Sequence, residues 1–393
     1  MTTLETAPRR IAIVGGHCIL PDERELETDV LVIEDRITRV GSVEPAPADL
    51  VIDAVGCRVV PGFIDLHVHG GAGVDFADGS LHAVEAALEF HAAHGTTRAV
   101  ASLIPMESAR LRQAMATLAD RPSRGLLGVH LEGPYVSPTK RGGLDRAFLR
   151  PPDGIGFREL VGGFENSVRI VTLAPELPGA TGLLEAVRDV GAIAAIGHSE
   201  ATYEQALAAI GQGVRHVTHW GNAMSGLHHR APGILGAALF DARVTLEVIA
   251  DGIHVHPDVI RFLIEDLSAR GQLDRLCLVT DAIRAAGSAD GRFTLGNLTG
   301  TAYDGVARLA DGTLAGSTLT LDAALRNVVH FSGIPLPRAI QLVTRNPAAV
   351  LGETHLGQLR PGAVADIVLL DEALGVRTTI RSGKVLFNSS APA

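Results

Sequence analysis

Two histidines separated by one residue, His67 and His69, follow directly on the apolar stretch Val59-Val60-Pro61-Gly62-Phe63-Ile64-Asp65-Leu66. In a strand, residues two apart point to one face, so both imidazoles are expected on the same side. Two neutral imidazoles on one face suit Zn²⁺ or Fe²⁺. The pair alone is weak evidence, since packed or surface histidine pairs are commoner than metal sites. Further metal-type residues close other apolar runs: Glu132 in His130-Leu131-Glu132-Gly133-Pro134, His198 in Ile196-Gly197-His198-Ser199, and His219 in His216-Val217-Thr218-His219. Asp281 ends Leu278-Val279-Thr280-Asp281. Taken singly, Glu132 is an ordinary loop acid and each histidine a satisfied structural one. Together, five metal-type residues at four strand ends, with an aspartate at another, form a pattern that chance rarely supplies. The chemistry implied is metal-assisted hydrolysis, with an amide as the expected bond. A bound divalent ion lowers the pKa of water from 15.7 toward about 7 and polarises a carbonyl. Glu132 has two oxygens with which to bridge two ions. A carboxylate such as Asp281 can take a proton from attacking water and return it to a leaving amine.

These residues need a scaffold that brings strand ends together. Strand candidates end near His69, Leu103, Leu131, Leu173, Gly197, Thr218, Ala250 and Thr280, and helix-like segments lie between them at Leu81 to His94, Ser108 to Ala119, Thr181 to Val190, Thr202 to Gly211 and Pro257 to Arg270. Gly-rich turns follow several of these, as helix C-caps require. Eight strand-then-helix units read as an α/β fold, a (β/α)8 TIM-type barrel, with its chemistry at the C-terminal ends of the strands. The two ends of the chain read differently. Val30 to Val40 has the pattern of a hairpin, and Ala365 to Leu370, Val376 to Ile380 and Lys384 to Phe387 are strand-like. A small β-sandwich domain formed from both termini, residues 1–58 and 355–393, is therefore expected beside a barrel over 59–354.

The chain has 393 residues, with 34 Lys and Arg against 44 Asp and Glu for a net charge of −10. An acidic balance without a cluster of basic residues argues against nucleic acid as a partner. Hydrophobic residues make up 46%, enough for a sizeable core and too many for a disordered chain. Three scattered cysteines, Cys18, Cys57 and Cys277, exclude a disulfide framework and a cysteine-type zinc motif and suit a reducing compartment. Met1 to Arg10 is polar, and no apolar run approaches a membrane span. A cytoplasmic protein with no membrane partner is expected.

The motifs resemble those of the amidohydrolase superfamily and, within it, the N-acetylglucosamine-6-phosphate deacetylase family. The resemblance rests on Pro61 to Gly70, His130 to Tyr135, Gly197 to Ser199, Asn222 to Ser225, Asp251 to His254, Leu278 to Ala282 and Gly312 to Ser317, nearly the whole chain in family order. It implies a metal-dependent deacetylase acting on a phosphorylated amino sugar. Glu132, His198 and His219 correspond to the principal metal ligands, and His67 and His69 to ligands of a second ion that only some members hold. One or two ions of zinc or iron per chain are thus expected. Asp281 matches the catalytic aspartate. Gly143, Asn222, Ala223, Arg230, His254, Leu314, Ala315 and Gly316 match positions on the substrate side. The planar guanidinium of Arg230 pairs well with phosphate oxygens. The resemblance further implies a homodimer, with part of the phosphate site completed by the neighbouring subunit.

Three departures from the family pattern bear on the substrate. Leu144 stands where a carbonyl-polarising histidine is expected, and losing one such donor removes about 2.7–4 kcal/mol of transition-state stabilisation. A second metal, His228 or His229 would have to compensate, or the substrate differs. Trp220-Gly221 precedes Asn222 where an apolar and then an aromatic residue are usual, and Ala231 stands where an acid is usual. The alternative reading is accordingly a related enzyme that deacylates another N-acyl amino sugar or an N-acyl amino acid. A cyclic amidohydrolase fits less well, because Thr172-Leu173-Ala174-Pro175-Glu176 lacks the lysine that bridges metals in such enzymes. A non-catalytic sugar-phosphate sensor would not need Asp281.

Overall fold

The computed structural model describes residues 10–43, 48, 50–119 and 125–389. The polar segment 1–9 considered above lies outside them. The described residues fall into two compact units, one within Met1–Ile64, His91–Arg98 and Gly333–Ala393, the other within Asp65–Phe90 and Ala99–Ser332.

In the first unit, both ends of the chain contribute to one sheet. Arg58–Pro61 pairs with Arg10–Ile19 on one side and, antiparallel, with Ile367–Leu370 on the other. Glu25–Ile33 and Arg36–Val40 form the expected hairpin at one edge; Val376–Arg381 and Lys384–Asn388 form the other. Alternation explains the pairing. Ile11 and Ile13, like Val30 and Val32, lie two apart and are buried in a common core with Ile37, Val59, Ile367 and Ile380. Beneath it the Arg98 guanidinium grips Asp366 with two bonds of 2.6 and 3.1 Å, and Ser382 adds its N–H to the same carboxylate at 2.8 Å.

The barrel sheet holds eight strands in sequential order: Phe63–Val68, Thr96–Leu103, Leu126–Glu132, Val168–Leu173, Ile193–Ile196, His216–Val217, Thr245–Ile249 and Leu276–Val279. The ring closes from last to first through a parallel bridge between Val68 and Ala282, where the Asp281 N–H donates to the His67 carbonyl at 2.8 Å. All eight strands end within a few residues of the positions read from the sequence, and the five expected helices are present. Three more helices follow strands where none was expected, Gly154–Val161, Gly233–Phe240 and Leu321–Ser332. Gly233–Phe240 is apolar on nearly every face, so it carries no amphipathic signal. A three-stranded antiparallel insert, Gly291–Leu295, Leu298–Tyr303 and Val306–Leu309, separates the eighth strand from its helix.

Asp366→Ala strands the buried Arg98 charge, which is 9% exposed. Chemical denaturation should then show a loss of about 3–5 kcal/mol, the usual penalty for breaking a buried pair from one side. A loss within error of zero would mean the pair is replaced by solvent.

Candidate active site

The six groups singled out by their types converge at the C-terminal rim of the barrel in two triads, His67/His69/Asp281 and Glu132/His198/His219, all buried. In the first, His69 Nε2 lies 3.1 Å from His67 Nε2 and 3.1 Å from Asp281 Oδ1. In the second, His198 Nε2, His219 Nε2 and Glu132 Oε1 are 3.0–3.1 Å apart pairwise. Glu132 also joins the two, with Oε1 3.5 Å from His67 Nε2 and Oε2 3.5 Å from His69 Nε2.

Strand geometry places these atoms. His67 and His69 keep the two-residue spacing of the first strand, and Glu132 is the last residue of the third. His198, His219 and Asp281 lie just past the fifth, sixth and eighth strands with left-handed backbones, φ +49°, +31° and +49°. Such conformations in non-glycine residues store roughly 1–3 kcal/mol each and recur at functional sites. Crowding beneath them is severe. A Cβ on Gly197 would meet Thr172 and Thr218 side-chain atoms at 2.7 and 2.8 Å, and one on Gly316 would meet the Asp281 carbonyl at 2.9 Å.

The donor set fits a divalent metal. A carbonyl only accepts, so His198 Nδ1, 2.8 Å from the Lys140 carbonyl, carries the ring proton. Its Nε2, 3.0 Å from Glu132 Oε1, is then the nitrogen left to bind a metal. Metal–ligand bonds of about 2.0–2.1 Å give tetrahedral ligand edges of about 3.3 Å, close to the separations found here. The electrostatics agree. Burial disfavours charge on His67, yet Asp281, Glu132 and Glu247 outweigh it and pull the ring up to about 10. Burial likewise opposes ionisation of Glu132, and His67 and His198 hold it well below the usual carboxylate range despite that. The cluster attracts positive charge.

Buried polar side chains brace the triads from below. Asp65 accepts the His67 N–H at 3.2 Å and the Thr280 hydroxyl at 2.6 Å, tying the first strand to the eighth. Glu247, completely buried on the seventh strand, lies against His67 and His216. Neither carboxylate was singled out in the sequence; the available signal was an acid in the middle of an apolar run.

Above the triads opens a cavity of about 460 Å³, inside the roughly 300–1,000 Å³ range of small-molecule sites. The amidohydrolase family model matches residues 58–386. Among curated relatives, the N-acetylgalactosamine-6-phosphate deacetylase of Escherichia coli O157:H7 is 36% identical over 371 residues, 93% of this chain and 96% of its own. The N-acetylglucosamine-6-phosphate deacetylase of Vibrio furnissii is 33% identical over 388 residues, covering 95% and 96%. Among solved structures, a mutant N-acetyl-D-glucosamine-6-phosphate deacetylase of Mycobacterium smegmatis, in complex with N-acetyl-D-glucosamine 6-phosphate, superposes with a TM-score of 0.88 at 35% identity, covering 98% of this chain and all of that one. The chain belongs to the amidohydrolase family.

It is a hydrolase of the deacetylase branch, and the remaining residues fall into place around that chemistry. Gly143, Asn222, Ala223, His254, Leu314 and Gly316 line the cavity together with Asp281. Ala315 does not; it is buried, with its N–H on the Ala307 carbonyl. Arg230 does not either. It is exposed, on a bend where His228 bridges to Ala231, and its guanidinium lies 2.6 Å from His229 Nε2. Nor do His228 and His229 line the cavity, so neither stands in for the histidine absent at Leu144, which does line it. Lys140 and Arg141 border the cavity and were not singled out. His254 donates from Nδ1 to Asp251 at 2.6 Å, leaving Nε2 for a ligand. Burial works against its charge, but Asp251 outweighs that and raises it above the ordinary histidine value.

Glu132→Ala should retain less metal than wild type by elemental analysis. Deacetylase turnover should fall by more than about a hundredfold, since losing an outer partner alone costs about 10–100-fold. Undiminished metal content would remove Glu132 from the ligand set.

Proposed function

We propose that this enzyme hydrolyses the acetamide of N-acetylglucosamine 6-phosphate to glucosamine 6-phosphate and acetate. The observation that carries the reading is one cavity floored by the two triads and bordered by Lys140, Arg141 and His254, an arrangement suited to an anionic amide. The names of the relatives support it. So does the sugar phosphate bound to the M. smegmatis enzyme.

Glu132, His198 and His219, with His67 and His69, would hold one or two ions of zinc or iron, supplying Lewis acidity and a water ligand of lowered pKa. Burial works against ionised Asp281, but His67 and the His69 hydrogen bond hold it below the usual carboxylate range, so it starts as a base. It takes a proton as the water oxygen bonds to the acetyl carbon. The C–N bond then breaks, and Asp281 returns the proton to nitrogen, releasing amine and acetate. Gly143, Asn222, Ala223, Leu314 and Gly316 shape the sugar site, with Ala315 buried behind them, and His254 meets the phosphate. Arg230, outside its own cavity, serves a second copy in a homodimer, next to the exposed Leu227. The three free cysteines favour a cytoplasmic location. No helix among the described residues is long and apolar enough to cross a membrane.

A second substrate merits the same assay. The E. coli relative is named for N-acetylgalactosamine 6-phosphate, which differs only in the configuration of one ring hydroxyl. Leu144 keeps open an N-acyl amino sugar or amino acid of another kind.

Acetate release from both hexosamine phosphates and from their unphosphorylated sugars tests the assignment. The phosphorylated substrates should win; a preference for an unphosphorylated sugar removes the phosphate role. In metal-loaded protein, Asp281→Asn should lower kcat by about 10²–10⁴-fold, and unchanged turnover would take Asp281 out of the proton path. Because its pKa is raised, His254 loses its charge at a higher pH than an ordinary histidine does. KM should therefore climb with rising pH, later than loss of charge from an ordinary histidine would make it. His254→Gln should raise KM about tenfold or more, the worth of a charged hydrogen bond, and flatten that climb. A KM profile identical to wild type would exclude His254 from binding.

A further inference from the structure

One carboxylate beneath the cavity touches both triads. Glu247 Oε2 lies 3.0 Å from His67 Nδ1 and also takes the backbone N–H of His219 at 3.2 Å. Its other oxygen lies 2.7 Å from His216 Nε2, and His216 Nδ1 lies 2.5 Å from the Thr245 hydroxyl. Thr245 and Glu247 are two apart on the seventh strand and so share its inward face. Every contact of this fully buried carboxylate is to the floor of the site, and none is to the cavity.

We infer that Glu247 is a positioning residue that couples the two metal groups. Its hold on Nδ1 keeps a proton there, so that Nε2, directed at His69, Asp281 and Glu132, is the nitrogen that gives up its proton to a metal. Without that acceptor, the ring proton is free to occupy Nε2, which closes the ligand position. The same oxygen pins the backbone at His219, a ligand of the other triad whose φ of +31° is strained. Outer-sphere carboxylates that orient ligating histidines typically carry 10–100-fold in metal affinity. Here one such group serves ligands of both triads. Its stronger grip is on the His67 ring itself, so the His67/His69/Asp281 group depends on it more.

The inference rests on reading the triads as metal groups, and the experiment separates the two. Metal-free wild type, Glu247→Gln, Glu247→Asp and His67→Ala are titrated with Zn²⁺ and Co²⁺, following heat, cobalt absorption and the melting temperature of each metal-free protein. The site lost in His67→Ala defines the ion held by that triad. In both Glu247 variants this site should weaken by about 10–100-fold, with a smaller change at the Glu132 site and an altered cobalt spectrum. If His67→Ala loses no ion, the metal reading of that triad fails and this inference with it. If His67→Ala loses one while the Glu247 variants keep wild-type affinity, the inference alone is overturned. Equal weakening of both sites, in step with a lower metal-free melting temperature, makes Glu247 merely structural. So does failure of both variants to fold.

Discussion

Lone pairs that face one another in a buried space need a cation between them. At the rim of this barrel, Glu132 Oε1 is within 3.0–3.5 Å of three imidazole nitrogens, and one of those, on His198, has its ring proton committed elsewhere. In water such a grouping would simply fly apart. In a buried site of low dielectric the repulsion is stronger, so the arrangement persists only if positive charge is shared among the ligands. The barrel resists collapse of the cluster because Glu132, His67, His198 and His219 are anchored at the ends of four different strands. A metal ion held among the ligands would meet that requirement, and the upward pull on His67 shows that the cluster favours positive charge.

That requirement reaches well into the scaffold. Ligands from five strand ends reach one rim site only because the chain turns sharply at three of them, where His198, His219 and Asp281 adopt left-handed backbones. The turns are affordable because small residues let the chain pass closely beneath them, Gly197 against Thr172 and Thr218, and Gly316 against Asp281. The Ser317 N–H on the Asp281 carbonyl at 2.8 Å then locks the segment carrying Gly316 alongside the end of the eighth strand. A motif that looks like a plain surface turn in the sequence is therefore a wall of the site.

The barrel and its six converging groups were legible because each rests on a local rule. Strands end where apolar runs end, and His67 and His69 share a face by strand periodicity alone. What escaped was set by tertiary contact. Glu247 and Asp65 look like defects in apolar strands until the barrel closes and brings His67 and Thr280 to them. Lys140 and Arg141 lie on the long loop after the third strand, where no periodicity says which side chain turns inward. The all-apolar helix Gly233–Phe240 has no polar face to betray it. Arg230 shows the converse: its motif matched, yet a single chain leaves it in solvent.

These misses separate the site into two layers with different constraints. The floor, from Asp65 and Glu247 up to the triads, is a buried polar network in which His67, His216 and Thr280 each lean on a carboxylate, so a change to either acid strands a partner. The rim is built from loops, and there Leu144 and Ala223 present apolar surface beside Lys140, His254 and Asn222. Leu144 and Ala223 can be exchanged without unpairing anything below, whereas Asn222 is tied to the His219 carbonyl and His254 to Asp251. Selectivity among N-acetylhexosamine phosphates should thus drift at the rim while the hydrolytic floor is kept. Relatives only 33–36% identical, named for two different hexosamine phosphates, are what such a division of labour produces. On the same logic Leu144, a rim residue, can alter how the acetamide is held without touching the proton transfer proposed for Asp281, whose backbone is held by the His67 carbonyl.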